Sequence, residues 1–395
     1  MNKTGKRMED QPFYKHIYDF LHEEIESGKL LPGDKIPSEK ELCEQFAVSR
    51  ITSKRALELL TEQGYITRFP GRGSFVAKKQ EARNLPRSSR SIGFVISDFS
   101  DNFGTRLLFT IEDVCRERGY CLVLKRSMDS VAEEAKAITS LTALGVDGLL
   151  VLPIHGEYYN EEILKLILGK KPLAFVDRKM RGLSAPSFST DNIAAARTGA
   201  EYLLNLGHRS IGFYSGPIKN TSTVEDRRHG FIDAYAGNSI PINEQFFCTN
   251  LISSWTYPFS DREHVMQDIE CVKNHLLTYP EISAAFTAEY NMALIINAAA
   301  EQLGRRVPGD LSILTFDSSP SITGKSQFTH LRQDEESIGR RAVETLDAMI
   351  SGQAEGLPVS MMGDTVFPAT LVPGLSSGAP ERGSPVDVFK EKAGQ

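Results

Sequence analysis

The stretch "SRITSKRALELL", Ser49 to Leu60, carries positive charge at its front end and apolar side chains at its back end. Its apolar residues fall on one side of a helix turned at about 100° per residue, namely Ala56, Leu57, Leu59 and Leu60. Arg50, Lys54 and Glu58 form a polar stripe on another side. Such a stripe is either a solvated surface or a surface that contacts an acidic partner, and the neighbouring sequence has to decide between them.

The neighbouring sequence predicts two further helices before this stretch and a hairpin after it. Apolar residues recur every fourth position and predict a first helix with one buried stripe: Phe13, Ile17, Leu21 and Ile25. Ser38 stands three residues before Glu41, the spacing of a capping box that opens a second helix. Two short alternating segments, "YITRF" and "GSFVA", flank the turn Pro70–Gly73. Three helices and a hairpin predict a winged helix-turn-helix over residues 11–80.

A winged helix-turn-helix is a DNA-binding domain, and this gives the basic stripe a partner. The N-terminal end of the third helix enters the major groove, where arginine can bond guanine through two parallel hydrogen bonds. Arg72 stands between Gly71 and Gly73 at the hairpin tip, where the absence of side chains lets the backbone approach a duplex. Residues 1–80 hold 14 Lys and Arg against 12 Asp and Glu, while the whole chain has a net charge of −6. A mildly positive N-terminal domain (the head, residues 1–80) on an acidic remainder of the chain (the body) fits the same interpretation.

The first eighty residues resemble the DNA-binding domain of the GntR family of bacterial transcription regulators. The resemblance rests on "GKLLPGDKIPSEKEL", "FAVSRIT", "LLTEQGYI" and "GRGSFVA". It implies that Lys40, Arg50, Thr52 and Lys54 face double-stranded operator DNA, with the Gly71–Gly73 tip in or over the minor groove. The family often has arginine where Lys40 and Lys54 stand. Lysine keeps the charge but lacks the bidentate fork, so the bases read at these two positions stay open.

From Ser91 to about Gly374, apolar β-rich runs alternate with helical segments, as in "SIGFVIS", "LLFTIEDVCRERGY" and "CLVLKRS". This alternation predicts parallel sheets with helices on both faces, and the length favours two sheets with a cleft between them. Ligand groups are expected at the carboxyl ends of the strands. The residues at those ends are polar: Ser97-Asp98, Ser127, Asp177-Arg178, Ser215, Glu289 and Asp317.

This body resembles the effector domain of the LacI family, itself similar to periplasmic sugar-binding proteins, through "GVDGLLVLP", "AFVDR", "YLLNLGHRSIGF", "GRRVPGDLSILTFD" and "FTHLRQDEESIGRRA". A GntR-type head on a LacI-type body resembles the arabinose-repressor subgroup. The resemblance implies an effector-binding and dimerisation domain over 91–375, behind a polar linker at 81–90. The implied lobes are 91–189 with 334–352, and 190–331 with 357–375. The implied crossings between lobes lie near Thr190, Arg332–Asp334 and Gly352–Gly356. The composition of 376–395 predicts a disordered tail.

The same resemblance implies the ligand-binding residues. Charged residues are carried over position by position: Asp177, Arg178, Arg227 in "RRHGF" and Asp317 after "SILTF". Trp255 would supply either an apolar face for a sugar ring or a core residue. Glu289-Tyr290 stand where the family usually has Asn-Asp, so the identity of the ligand does not transfer. His208 in "LGHRS" is interpreted as a turn residue rather than a ligand. The effector is expected to be a sugar or derivative, with a non-sugar molecule or a co-repressor as alternatives.

Composition excludes several other classes of protein. The sequence holds no HExxH motif and no Walker-type phosphate loop, so neither an enzyme nor a cofactor is expected. The odd, scattered cysteines predict reduced thiols, mostly in the core, and no metal site: Cys43, Cys115, Cys121, Cys248 and Cys271. No apolar run suits a membrane span or a secretion signal, which predicts a cytoplasmic protein. Because one winged helix reads one half-site, a homodimer on a near-palindromic operator is expected.

Overall fold

The computed structural model describes residues 13–62, 65–69, 73–76, 90–154, 160–180, 182–218, 221–252, 262–319, 324–352 and 363–380. The chain divides into two units, 1–88 and 89–395. Three predicted site residues lie outside the described ranges: Gly71, Arg72 and Trp255. Most of the predicted linker and the tail from residue 381 also lie outside them.

The first unit has the predicted winged helix-turn-helix. Its elements are α1 Phe13–Glu26, α2 Glu39–Phe46, α3 Arg50–Glu62, β1 Ile66–Phe69 and β2 Gly73–Val76. β1 and β2 pair antiparallel, with Ile66 opposite Val76. The predicted capping box is confirmed, because the Ser38 hydroxyl accepts from the Glu41 amide and the Glu41 carboxylate accepts from the Ser38 amide. These two bonds satisfy amides that α2 would otherwise leave unpaired and so fix where the helix begins.

One apolar core holds the three helices and the hairpin together. Its buried residues come from every element: Ile17, Leu21, Ile36, Leu42, Ala56, Leu57, Leu60, Ile66 and Val76. The prediction that Phe13 belongs to the buried stripe of α1 is wrong, since its side chain is 71% exposed. Phe13 opens the helix, one turn ahead of the residues that pack against α3. Ile17 and Leu21 are fully buried, as the pattern predicts.

The second unit contains two six-stranded sheets with the same order of strands. The first sheet runs β13-β7-β6-β5-β3-β4 and the second runs β14-β12-β11-β10-β8-β9. The first sheet comprises β3 Arg90–Ile96, β4 Tyr120–Arg126, β5 Gly148–Val151, β6 Leu173–Val176, β7 Ser187–Thr190 and β13 Asp364–Phe367. The second comprises β8 Ile211–Tyr214, β9 Phe247–Cys248, β10 Ala284–Thr287, β11 Ser312–Phe316, β12 Thr329–Arg332 and β14 Thr370–Val372. All pairings are parallel except β12 with β14.

Helices cover both faces of each sheet, so each sheet contributes to two apolar clusters. Along β3, Phe94 belongs to one cluster and Val95 to another, the period of two that a strand buried on both faces requires. The helices of the first lobe are α4 Thr105–Glu117, α5 Val131–Leu144, α6 Glu161–Leu168 and α11 Glu335–Ile350. Those of the second are α7 Asn192–Asn205, α8 Ser222–Gly237, α9 Arg262–Thr278 and α10 Tyr290–Gln302.

The last part of the chain differs from the prediction in two respects. The sequence predicts that 357–375 belongs to the second lobe, yet β13 pairs with β7 of the first sheet and only β14 joins the second. The third crossing therefore lies between Phe367 and Thr370 and not near Gly352–Gly356. Parallel pairing with the exposed edge of β7 satisfies backbone groups that would otherwise lack partners.

The predicted disordered tail also begins too early. Ser376 is buried, and its hydroxyl donates to the carbonyl of Ile313 over 2.5 Å. The amide of Gly378 donates to the hydroxyl of Ser312 over 3.1 Å. Short polar residues can reach these buried groups of the second sheet, so low hydrophobicity at 376–380 did not mean absence of structure.

The cysteines are reduced, as predicted, but fewer of them are buried than expected. Cys115 and Cys248 are buried, Cys43 is half-buried, and Cys121 and Cys271 are exposed. Within the described ranges, no cluster of three or more His, Cys, Asp or Glu side chains could hold a metal ion. None of the helices in those ranges is long and apolar enough to cross a bilayer.

Candidate DNA-reading face and effector site

The front of α3 presents the residues predicted to face DNA. The side chains of Arg50 and Lys54 are 84% and 60% exposed, and that of Lys40 on α2 is 87% exposed. Thr52 is held at the helix start, with its hydroxyl 2.9 Å from that of Ser49. The structure therefore places these four side chains at or near the front of α2 and α3. Their contacts with DNA remain a prediction.

Exposed ion pairs hold the basic side chains of this face. Glu39 lies between Arg50, whose Nε is 3.5 Å from its Oε2, and Arg68 on β1. Lys54 pairs with Glu58 at 3.9 Å along α3. Exposed pairs of this kind contribute about 0–1 kcal/mol each, so a phosphate or a base edge can displace them at little cost.

Sequence reasoning missed one apolar residue on this face and a cation beside the wing. Ile51, between Arg50 and Thr52, is 82% exposed, and apolar side chains in the major groove can contact the thymine methyl group. Gly73 has a φ of +110°, and a Cβ there would lie 2.9 Å from Lys35 Cε. The positive φ at position 73 thus requires glycine. Lys35 places a positive charge at the base of the β1–β2 hairpin, which is the wing of this fold.

In the second unit, Asp177 and Asp317 occupy equivalent places in the two sheets. Asp177 follows β6 with a φ of +64°, and Asp317 follows β11 with a φ of +57°. The Asp177 amide donates to Phe188 and the Asp317 amide to Leu331, each on the next strand of its sheet. Both carboxylates are turned out of the strand at its carboxyl end. Aspartate is among the few non-glycine residues that adopt this left-handed conformation readily.

The carboxylate of Asp317 is held by Gln333, which lies on a crossing between the lobes. Its Oδ1 accepts from the Gln333 backbone amide at 3.2 Å and its Oδ2 from the side-chain amide at 2.6 Å. The Gln333 Oε1 in turn accepts from the hydroxyl of Thr190, which lies on a second of the three crossings, at 2.7 Å. Burial raises the pKa of Asp317 to about 7, against the opposing effects of Gln333 and Arg227. The two crossings and one buried carboxylate thus form one hydrogen-bonded unit.

Arg227 on α8 is the centre of positive charge in this region. Its Nε donates to Asn192 at 2.7 Å and one terminal nitrogen donates to the Ala288 carbonyl at 2.6 Å. Its Cζ lies 3.8 Å from the centre of the Phe316 ring. Burial lowers the pKa of this guanidinium, while nearby carboxylates oppose the shift: Asp177, Asp317 and Glu289. The structure therefore brings together carboxylates of both lobes around one buried arginine.

Asp177 differs from Asp317 in having an unused acceptor. Asp177 is 5% exposed, and its Oδ1 has no hydrogen-bond partner among the described residues. The neighbouring Arg178 lies with its Nε 3.7 Å from Asp177 Oδ2, and its terminal nitrogen donates to the Pro153 carbonyl at 2.7 Å. A buried carboxylate oxygen without a donor is costly, and such a group calls for a functional explanation.

Glu335 is a further buried carboxylate that sequence reasoning missed. Its Oε2 accepts from the amides of Gly104 and Leu107 at 2.7 and 3.0 Å, which caps α4 with a residue of α11. Burial raises the pKa of Glu335, and the charge of Asp177 adds to the shift. A helix start 231 residues away in sequence gives no local signal by which this pairing could be predicted.

Five of the six predicted ligand residues thus lie in one region, and Trp255 is outside the described ranges. Glu289 precedes α10 in extended backbone. His208 is not in this group. Its ring is buried, with Nδ1 2.9 Å from the Ser283 hydroxyl and Nε2 2.9 Å from the Gly378 carbonyl. Burial lowers the pKa of His208, so it is a neutral structural residue that ties two strands and the C-terminal segment together.

A helix-turn-helix domain joined to a two-sheet domain with buried charged side chains at its strand ends defines a DNA-binding regulator that responds to a small molecule. Residues 13–76 match the gntR family of bacterial regulatory proteins, and residues 200–377 match the periplasmic binding protein-like domain. The chain is therefore a transcription regulator, not an enzyme, with a GntR-type DNA-binding domain and a periplasmic-binding-protein-like effector domain.

Its relatives extend this match over most of the chain. It is 26% identical to the arabinose metabolism transcriptional repressor of Geobacillus stearothermophilus, over 91% of this chain and 96% of that protein. It is 27% identical to the ribose operon repressor of Halalkalibacterium halodurans, over 71% of this chain and 80% of that protein. The structure of the transcriptional regulator CelR with cellobiose superposes with a TM-score of 0.61 at 21% identity, covering 84% and 92% of the two chains. That last likeness confirms the fold.

Proposed function

We propose that this regulator represses carbohydrate-utilisation genes and is released from its operator by a sugar or a sugar derivative. The observation that carries the proposal is the pair of buried carboxylates at equivalent strand ends of the two lobes, Asp177 and Asp317, of which Asp177 Oδ1 has no partner among the described residues. Carboxylates accept hydrogen bonds from adjacent hydroxyl groups, which a sugar offers in series. The names of the arabinose and ribose repressors support the same class of effector.

The charges of this region favour a neutral polyhydroxyl effector over an anionic one. Both arginines already donate to protein groups, Arg227 to Asn192 and Ala288, and Arg178 to Pro153. The described residues of this region thus offer an unused acceptor at Asp177 Oδ1. A phosphate or a carboxylate on the effector would be repelled there.

The effector acts by shifting the relative positions of the two lobes. Asp177 belongs to the first sheet and Asp317 to the second, so a ligand bound to both favours the closed state. Closure bends the crossings at Thr190 and Gln333, where Thr190 donates to Gln333 and Gln333 donates to Asp317. In a cytoplasmic homodimer on a near-palindromic operator, closure of the bodies alters how the heads can engage their half-sites. Operator affinity falls in proportion to the preference of the ligand for the closed state.

Calorimetry and operator binding on the full-length protein test this proposal. The panel contains arabinose, ribose and cellobiose, a phosphorylated and a carboxylated counterpart of a neutral sugar, and a nucleoside. We expect a neutral sugar to bind and to weaken operator binding, and the anionic counterparts to be rejected. Binding of the nucleoside alone would contradict a sugar effector. A ligand that strengthens operator binding would instead make the protein a repressor that needs its ligand.

A further inference from the structure

We propose that Cys248 and Cys271 form a reversible disulfide by exchange with a small-molecule disulfide. Cys248 ends β9 and Cys271 lies in α9, and their sulfur atoms are 3.9 Å apart. The sulfur–sulfur separation has to shorten from 3.9 Å to about 2.05 Å for the bond to form. This site is separate from the carboxylates around Arg227, and the proposal does not depend on the identity of the effector.

The two thiols are suited to different steps of the exchange. Cys271 is exposed, whereas Cys248 is buried. Burial is the main cause that raises the pKa of Cys248, so this thiol stays protonated and does not attack a reagent from solvent. Cys271 therefore meets the small-molecule disulfide, and Cys248 completes the bridge from within the fold.

The surrounding contacts hold the two sulfurs close together. Asp268, one turn before Cys271, accepts the Ile252 amide at 3.2 and 3.0 Å through its two carboxylate oxygens. The Ser215 amide donates to the Cys248 carbonyl at 3.0 Å and fixes the other side. Because these hydrogen bonds fix the backbone around both cysteines, the second thiol is present at high effective concentration once the first has reacted.

The exchange is balanced in atoms and electrons. The Cys271 thiolate attacks one sulfur of the small disulfide, whose sulfur–sulfur bond breaks and releases one thiolate. The Cys248 sulfur then attacks the Cys271 sulfur, and its proton passes to the second small thiolate as that group leaves. Two protein thiols are oxidised to a disulfide, and one small disulfide is reduced to two thiols.

The bridge would act on one defined part of the second lobe. It would join the end of β9 to α9. Leu251, three residues after Cys248, donates its amide to Ser215 at the carboxyl end of β8. Oxidation would therefore tie α9 to a strand end that lies beside Ser215.

The test is incubation of the full-length protein in buffers of graded glutathione to glutathione-disulfide ratio, followed by alkylation of free thiols and peptide mass spectrometry. We expect the wild-type protein to lose the Cys248 and Cys271 thiols together, with little glutathione retained. Cys248→Ser should retain glutathione on Cys271, because no second thiol displaces it. Cys271→Ser should leave Cys248 reduced, which keeps the test valid if the Cys248→Ser variant folds poorly.

Cys121→Ser is the matched control, because Cys121 is exposed but lies in the first lobe. It should leave the bridge unchanged. The proposal is overturned if the wild-type protein retains glutathione on Cys271 as strongly as Cys248→Ser does. It is also overturned if Cys248 and Cys271 remain reduced at ratios that modify Cys121.

Discussion

Asp177 and Asp317 stand at the same place in two sheets of the same strand order, yet their surroundings differ. Asp317 receives two hydrogen bonds from Gln333. Asp177 keeps one oxygen without a partner among the described residues. The second lobe therefore holds its carboxylate in place by contacts to the crossings, whereas the first lobe leaves an acceptor open. We infer that Asp317 links ligand to lobe movement and that Asp177 mainly supplies binding.

The largest effect is expected from Asp317→Ala. The substitution removes the proposed ligand acceptor and leaves the Gln333 side-chain amide without its partner. Since hydrogen bonds to charged groups contribute about 1.5–3 kcal/mol each, effector affinity should fall roughly 100-fold or more. Calorimetry measures the affinity, and an operator-binding assay measures the loss of response. Unchanged release from the operator by the effector would show that Asp317 has no such role.

Asp177→Asn should have a smaller effect on binding and should not lower the stability of the protein. The amide keeps the shape but loses the charge, so effector affinity should fall roughly 10-fold. Thermal unfolding without effector should occur at the same or a higher temperature, because a buried carboxylate oxygen without a donor is removed. A fall in both affinity and melting temperature would instead make Asp177 a structural residue.

The pH dependence of stability should separate Asp317 from its counterpart. The pKa of Asp317 is raised from 3.8 to about 7, so the folded protein binds a proton that the unfolded chain has released. Its contribution to stability is fully present below pH 3.8 and is lost as the pH rises through about 7. The difference in melting temperature between wild type and Asp317→Asn should therefore change over this window and level off above it. A constant difference would contradict burial as the cause.

The smallest effect is expected from Thr190→Val, which removes one hydrogen bond between the crossings. Valine keeps the shape of threonine, and the bond to Gln333 Oε1 contributes about 1 kcal/mol. Chemical denaturation should show a loss of this size, and effector affinity should change by less than in either aspartate variant. A loss of effector response as large as that of Asp317→Ala would mean that the crossings, and not the carboxylates, dominate the coupling.

The places of Asp177 and Asp317 could be predicted because each follows a short apolar run, "AFV" or "SILTF", that reads as a buried strand. The carboxyl ends of parallel strands meet at one edge, so polar residues there are natural candidates. The capping box of Ser38 and Glu41 was predictable for a similar reason, since both partners lie within one turn.

The long-range contacts around Asp177 and Asp317 could not be predicted from the sequence. Thr190 and Gln333 are 143 positions apart, and neither has a local pattern that distinguishes it from other polar residues in loops. Glu335 resembles an ordinary acidic residue of a helix start, and only the packing of α11 on α4 reveals that it caps a different helix. Pairing of β13 with the first sheet was missed because short edge strands have weak sequence signals.

The late strands have a consequence for how the chain folds during synthesis. β13 completes the first sheet and β14 the second, and Ser376 then bonds to Ile313. Neither sheet can reach its full complement of strands until nearly all of the effector domain has left the ribosome. Pairings between residues so distant in sequence form slowly. The head, whose strands pair between Ile66 and Val76, can fold long before, so the newborn chain has a folded head while its body is still incomplete.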